Sequence, residues 1–290
     1  MSPALPPAAP GSLGGPWAGG RLTPRTRCLL APNPGLMTLD GTNTYVLSEP
    51  ESRRAVIVDP GPDDERHLDR IVDDLRAHDQ HPALVLLTHG HADHSAGAPR
   101  LARRLGCPVR AVDTSHRLGD EGLTDGERLV VDGLQVDVLA TPGHTADSVC
   151  LLVAGDDALL TGDTVLGRGT TVVAHPDGVL ADYFSSLAVL ESVADRHPDL
   201  VLMPGHGPAG ASVAHVVAAY REHRATRLDQ VSAAVLEGAS TIDGIVARVY
   251  ADVDRSLGPA ARLSVQAQVD YLVDARVLGR VDGVLSVRDA

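Results

Sequence analysis

Thr88-His89-Gly90-His91-Ala92-Asp93-His94 packs three imidazoles and a carboxylate into seven residues, between an apolar run and a segment of helical period. Imidazole nitrogen and carboxylate oxygen are the natural ligands of zinc-like divalent cations. Alternate residues of an extended chain point the same way, so His89 and His91 can share one ion. Asp93 and His94, where the chain bends into a helix, then point to a second. Three distant residues stand where loop ligands should: His144 after Pro142-Gly143, Asp163 after Thr161-Gly162 and His206 after Pro204-Gly205. This pattern assigns His89, His91 and His144 to one metal, Asp93, His94 and His206 to the other, and Asp163 to a bridge between them.

Working outward, Ala83–Leu87 is a continuous apolar run, as expected of a strand buried on both faces. Upstream, strands are predicted over 25–30, 41–47 and 54–58, followed by an amphipathic helix over 63–78 with Leu68, Ile71, Val72 and Leu75 on one stripe. Downstream come a helix over 95–105 ended by Gly106 and a strand over 109–112. Next are hairpins around Asp132-Gly133 and Gly155-Asp156-Asp157, a helix over 182–196, a strand over 200–203 and a long helix over 212–236. From Gly238 the pattern changes to helices over 242–250 and 263–278, then a hairpin over 280–287 at Asp282-Gly283, which suggests a winged-helix-like module. The expected division is a flexible N-terminus over 1–24, a main domain over 25–237 and a small domain over 238–290.

Composition narrows the function classes. The 290 residues carry 38 acidic and 25 basic groups for a net charge of −13, and a field of that sign repels phosphate backbones at long range. The 43% apolar content is sufficient for a core, which must be aliphatic because the chain has one Trp and one Phe. Three cysteines without CxxC spacing argue against a disulfide framework and for a reducing cytoplasm. No apolar stretch approaches the ~20 residues of a membrane span.

His-x-His-x-Asp-His with the later Pro-Gly-His, Thr-Gly-Asp and Pro-Gly-His resembles the metallo-β-lactamase superfamily over about residues 25–236. The resemblance implies an α/β fold, an αββα sandwich with the site along one edge, and a hydroxide bridging two metals, usually zinc, with iron or manganese as alternatives. Such a hydroxide is a nucleophile at neutral pH. Asp93 is expected to orient it and carry its proton. Asp163 stands where the commonest zinc β-lactamases keep a cysteine, so lactam hydrolysis is at best a side activity. Asp163 and His206 lie 43 positions apart, which leaves no room for the insertion of the β-CASP nucleases. The glutathione-binding features of glyoxalase II are also missing.

Gly41-Thr42-Asn43-Thr44-Tyr45, Asp59-Pro60-Gly61, the 162–171 stretch and Pro204-Gly205-His206-Gly207-Pro208 are similar to the β-lactamase-like protein 2 group. That group implies an endoribonuclease acting on single-stranded RNA, and its relatives imply a hydrolase of acyl thioesters. Asp59 is a candidate to orient the histidine loop. Arg168, Thr170, Tyr183 and His175 are candidates to line the substrate pocket, Arg168 by meeting an anionic group. The segment from Gly238 carries six arginines against seven aspartates and lacks a basic stripe. It is therefore expected to cap the cleft or to form a homodimer surface rather than to read nucleic acid.

Overall fold

Why a chain of such short strands makes a stable sandwich is answered by their alternation. The computed structural model describes residues 17–288. β1 (Gly19–Arg21), β2 (Thr26–Leu30), β3 (Asn43–Leu47) and β4 (Arg54–Val58) run antiparallel in order. α1 (Glu65–Ala77) then crosses over so that β5 (His81–Leu86) pairs with β4 in parallel. Asp64 caps α1 by accepting from the backbone N–H of Arg66 and His67. α2 (Ala92–Ser95) and α3 (Ala98–Leu105) follow, and β6 (Val109–Arg110) closes the six-stranded sheet.

The second sheet begins with β7 (Arg128–Val131), β8 (Leu134–Ala140), β9 (Val149–Val153) and β10 (Ala158–Gly162), a meander. α4 (Leu180–Arg196) crosses over to β11 (Val201–Pro204), which pairs parallel with β10. α5 (Val213–Leu236), α6 (Ile242–Val249), α7 (Gly258–Asp274) and the hairpin of β12 (Leu278–Val281) and β13 (Val284–Val287) complete the chain.

The central strands divide their side chains between two cores, as a period of two requires. Tyr45, Leu47, Val56 and Val58 face Val136, Val138, Leu151 and Leu160 between the sheets. Val46, Ala55 and Ile57 point the other way, against Leu68, Ile71 and Leu101 of α1 and α3. Cys150, Leu152 and Leu159 cover α4 and α5 through Leu187, Leu190 and Val217. The layers are helix, sheet, sheet, helix. A fourth cluster joins Val231 and Val235 of α5 to Ile245, Val265, Val269 and Leu285. The small C-terminal unit thus borrows the last turns of α5 for its own core.

Three expectations are corrected. Residues 17–24 are not loose: β1 pairs with β2, and Trp17 and Leu22 pack against the inter-sheet core. The rest of the segment read as flexible, 1–16, lies outside the described residues. The helix read over 95–105 begins only at Ala98, and a separate turn, α2, precedes it, because the Asp59-Pro60-Gly61 turn enters the ladder between them: Gly61 N–H donates to His94 O and Gly97 N–H to Gly61 O. The helix read over 263–278 begins at Gly258, where Pro259 suits a first turn, and ends at Asp274, beyond which Arg276 adopts φ of 62°.

Candidate metal centre

Strand ends of both sheets converge on one edge. The first sheet delivers His89, His91, Asp93 and His94 after β5, and the second delivers His144 after β8, Asp163 after β10 and His206 after β11. Thr42 and His206 form the backbone bridge between the sheets at this seam. One ligand atom from each of His89, His91 and His144 lies within 4.8 Å of the others, and the same holds for Asp93, His94 and His206. Asp163 lies between them, 3.4 Å from the Nε2 atoms of His94 and His206 and 3.8 Å from that of His144.

The hydrogen bonds fix which ring nitrogens face inward. His144 Nδ1 lies 2.7 Å from Val172 O and His206 Nδ1 3.1 Å from Gly41 O; a carbonyl only accepts, so both Nδ1 atoms carry the proton. His94 Nδ1 donates to Asp59 Oδ2 at 2.9 Å. Thr88 Oγ1 gives its own proton to Asp59 Oδ2, so it accepts from His89 Nδ1 at 3.1 Å. Four Nε2 atoms are therefore turned inward. Those of His94 and His206 are 3.2 Å apart, and His91 Nδ1 lies 3.0 Å from His89 Nε2 and 3.1 Å from His144 Nε2. The buried Oδ1 of Asp163 accepts no hydrogen bond. Acceptors facing acceptors are stable only around positive charge, and this donor set fits divalent cations.

The electrostatics make the same demand. Burial opposes protonation of His94, but Asp163 and Asp59 raise its pKa well above the usual imidazole range. At His206 burial again opposes the charge, and Asp163 and Asp93 outweigh it to bring the pKa up to about 9. Asp163 is held well below the carboxylate range: desolvation disfavours its charge, but His94 and His206 more than compensate. His89 moves the other way, driven down by burial and then by His94 and His144.

Asp59 accepts from Thr88 N–H at 2.8 Å, from Thr88 Oγ1 at 2.6 Å and from His94, so its carboxylate ties the start of the histidine loop to its end. Asn43 holds the other side: its Nδ2 donates to Pro204 O and Gly207 O, which flank His206, and Tyr45 Oη donates to Pro204 O. Gly205 is needed for close approach, since a Cβ there would lie 2.5 Å from Asp163 Oδ1 and 2.6 Å from His94 Cε1.

A cleft of about 490 Å³ opens over the centre. His175 lines it, together with His91, Asp93, His144, Asp163 and His206. Arg168 and Thr170 do not; Arg168 is exposed and pairs with Asp40 at 3.0 Å. Tyr183 is fully buried, and its hydroxyl donates to Thr164 O at 2.7 Å, so it cannot touch substrate. It packs where a side chain pattern of period 3.6 turns it inward, toward the core under Thr164. Sequence reasoning missed the other walls: Met37 from the loop before β3, Val172, Ala174 and Asp177 before α4, and Pro259, Ala260 and Leu263 of α7. Nothing in their residue types marks them, because the wall exists only once α7 docks.

Fold and centre together define a metal-dependent hydrolase. The model of the metallo-beta-lactamase superfamily matches residues 37–206, and the chain belongs to that superfamily. It is 30% identical over 250 residues to an atrochrysone carboxyl ACP thioesterase of Aspergillus chevalieri, covering 83% of this chain and 78% of that one. It is 32% identical over 233 residues to a beta-lactamase-like protein 2 homolog of Caenorhabditis elegans, covering 77% and 76%. Among solved structures, a beta-lactamase domain protein from Burkholderia ambifaria superposes with a TM-score of 0.82 at 23% identity, covering 98% of this chain and 97% of that one.

Proposed function

We propose that this chain is a two-zinc hydrolase of acyl thioesters. The observation that carries the reading is the wall of the cleft: Met37, Val172, Ala174, Pro259, Ala260 and Leu263 line it, Asp177 adds a negative group, and no arginine is among its lining residues. An apolar wall suits an acyl chain, whereas a phosphodiester backbone calls for guanidinium or ammonium groups. The relative named as an acyl-carrier thioesterase supports the same class.

His89, His91 and His144 would hold one ion, Asp93, His94 and His206 the other, and Asp163 both. Bound there, two divalent ions supply Lewis acidity and a nucleophile usable near neutral pH. The chain's own residues do the rest. Asp59, Gly41 and Val172 fix the imidazole tautomers through the bonds above. Asp93, more open than Asp163 at 30% against 11% side-chain exposure, orients the attacking water and takes its proton.

The endoribonuclease reading rests on likeness to the β-lactamase-like protein 2 group. The region 238–290, which we read as winged-helix-like, does not strengthen it. Arg262 pairs with Asp243 and Arg280 with Asp270, while Tyr250 lies beneath Arg227 and Tyr271 against Phe184. Both tyrosines are thus engaged and unavailable to stack on bases, although Arg255, Arg276 and Arg288 stay exposed. The test incubates zinc-loaded protein with acyl thioesters and, in parallel, with labelled single-stranded RNA. Release of free thiol from the thioesters is expected; cleavage of RNA with no thiol release would overturn the reading.

A further inference from the structure

The C-terminal unit touches the cleft through more than its apolar wall. His175, in the loop before α4, lines the cleft on the side facing α7, and its backbone N–H donates to Leu263 O at 3.4 Å. Its Nδ1 lies 3.2 Å from Asp270 Oδ2, on α7. The other oxygen of Asp270 accepts from Arg280 at 2.7 Å and from Gln266 at 2.8 Å. Asp270 is thereby fixed by β12 and by its own helix, with one oxygen left for the imidazole. This ion-pair contact turns Nδ1 toward Asp270 and leaves Nε2, on the other side of the ring, without a protein partner among the described residues. α7 itself is anchored on the main domain by Ala267, buried in the core of α4 and α5, and by Tyr271 against Phe184.

A carboxylate-held imidazole, open to solvent and within the same cleft as the metal ligands, has the equipment of a general acid. We infer that His175, oriented by Asp270 of the C-terminal unit, donates the proton that the leaving group takes up. This rests on the acyl-thioester reading. As water oxygen bonds to the acyl carbon, the carbon–sulfur bond breaks and its electron pair goes to sulfur. Sulfur takes the proton of Nε2, and the proton lost by the attacking water passes through Asp93 to solvent, from which His175 is reprotonated. Asp270 is a positioning residue, since it acts through the imidazole.

The test compares two thioesters of one acyl group on the zinc-loaded full chain: an alkyl thioester, whose thiol leaves poorly unprotonated, and a nitrothiophenyl ester, whose thiolate needs no proton. H175Q is expected to lower kcat on the alkyl thioester by roughly 10²-fold or more, the range for a lost general acid, while the aryl ester changes less than about threefold. D270N should show the same split more weakly, and D270E should restore part of it. Zinc content measured on each variant should equal that of the unaltered chain. Equal losses on both esters, or no loss on either, would overturn the assignment of His175 while leaving thioester hydrolysis standing. Failure of the unaltered, zinc-loaded chain to release thiol from either ester would overturn both.

Discussion

The carboxylate of Asp59 bonds His94 Nδ1 at 2.9 Å while its other oxygen receives the backbone N–H of Thr88 at 2.8 Å. One side chain thus holds both ends of the histidine loop, and it does so from a backbone with φ of 50°, a conformation costly for a residue with a Cβ. Partners of this kind set metal affinity by fixing the tautomer and aim of the ligand. Asp59→Ala should weaken zinc binding by roughly 10- to 100-fold. Competition against a chromophoric chelator measures the change, and an unchanged dissociation constant would mean the loop holds its shape without Asp59.

Proton release should accompany metal binding. Against burial, Asp163 and Asp93 bring the pKa of His206 up to about 9, so near pH 7 its Nε2 carries a proton that a metal must displace. Apparent zinc affinity should therefore rise with pH up to about 9 and then level at the His206 contribution. Calorimetric titration in two buffers of different ionisation enthalpy counts the protons; a count of zero at pH 7 would contradict the assignment.

Gly205→Ala should remove bound metal without unfolding the chain. The added methyl would meet Asp163 Oδ1 and the His94 ring, both of which sit in the centre and cannot retreat without losing their aim. Metal analysis of the purified variant should show a loss of stoichiometry, with far-ultraviolet circular dichroism unchanged.

Acid stability has a contributor away from the centre. His67 is fully buried, with Nε2 at 2.8 Å from Thr44 Oγ1, and burial, followed by Arg70, lowers its pKa to about 4. Above pH 6.5 the imidazole is neutral in both states and adds no pH dependence. Between 6.5 and 4 the unfolded chain takes the proton and the folded chain does not, so stability is lost as pH falls, by about 2 to 3 kcal/mol over that window. Urea midpoints of the metal-free protein from pH 7 to 4.5 should fall less steeply for His67→Gln than for the unaltered chain.

The order of strands and helices and the convergence of the His and Asp candidates were legible because they depend on local rules, whereas the layering followed from the family resemblance. Alternation in the strands, turn residues at 132–133 and 155–157, and histidine or aspartate directly after Pro-Gly or Thr-Gly place side chains with no knowledge of tertiary contacts. Arg54–Val58 is a strand with those very bounds. The cleft wall was not legible, because it depends on docking: Leu263 and Asp270 reach His175 only when α7 packs on α4. Arg168 and Tyr183 show the other half of the difficulty. Arg168 follows Asp163 by five positions and Tyr183 lies near the start of the next helix, yet an ion pair to Asp40 takes one outward, and a hydrogen bond to Thr164 O takes the other into the core. Proximity along the chain does not decide which way a side chain turns.

The seam at Thr42 and His206 divides the ligands between the two sheets, four residues from the first and three from the second. Neither half of the chain owns a complete set. Each ion would thus draw ligands from both sheets, and a metal held across the seam would tie the two halves together, adding its binding free energy to the native state alone.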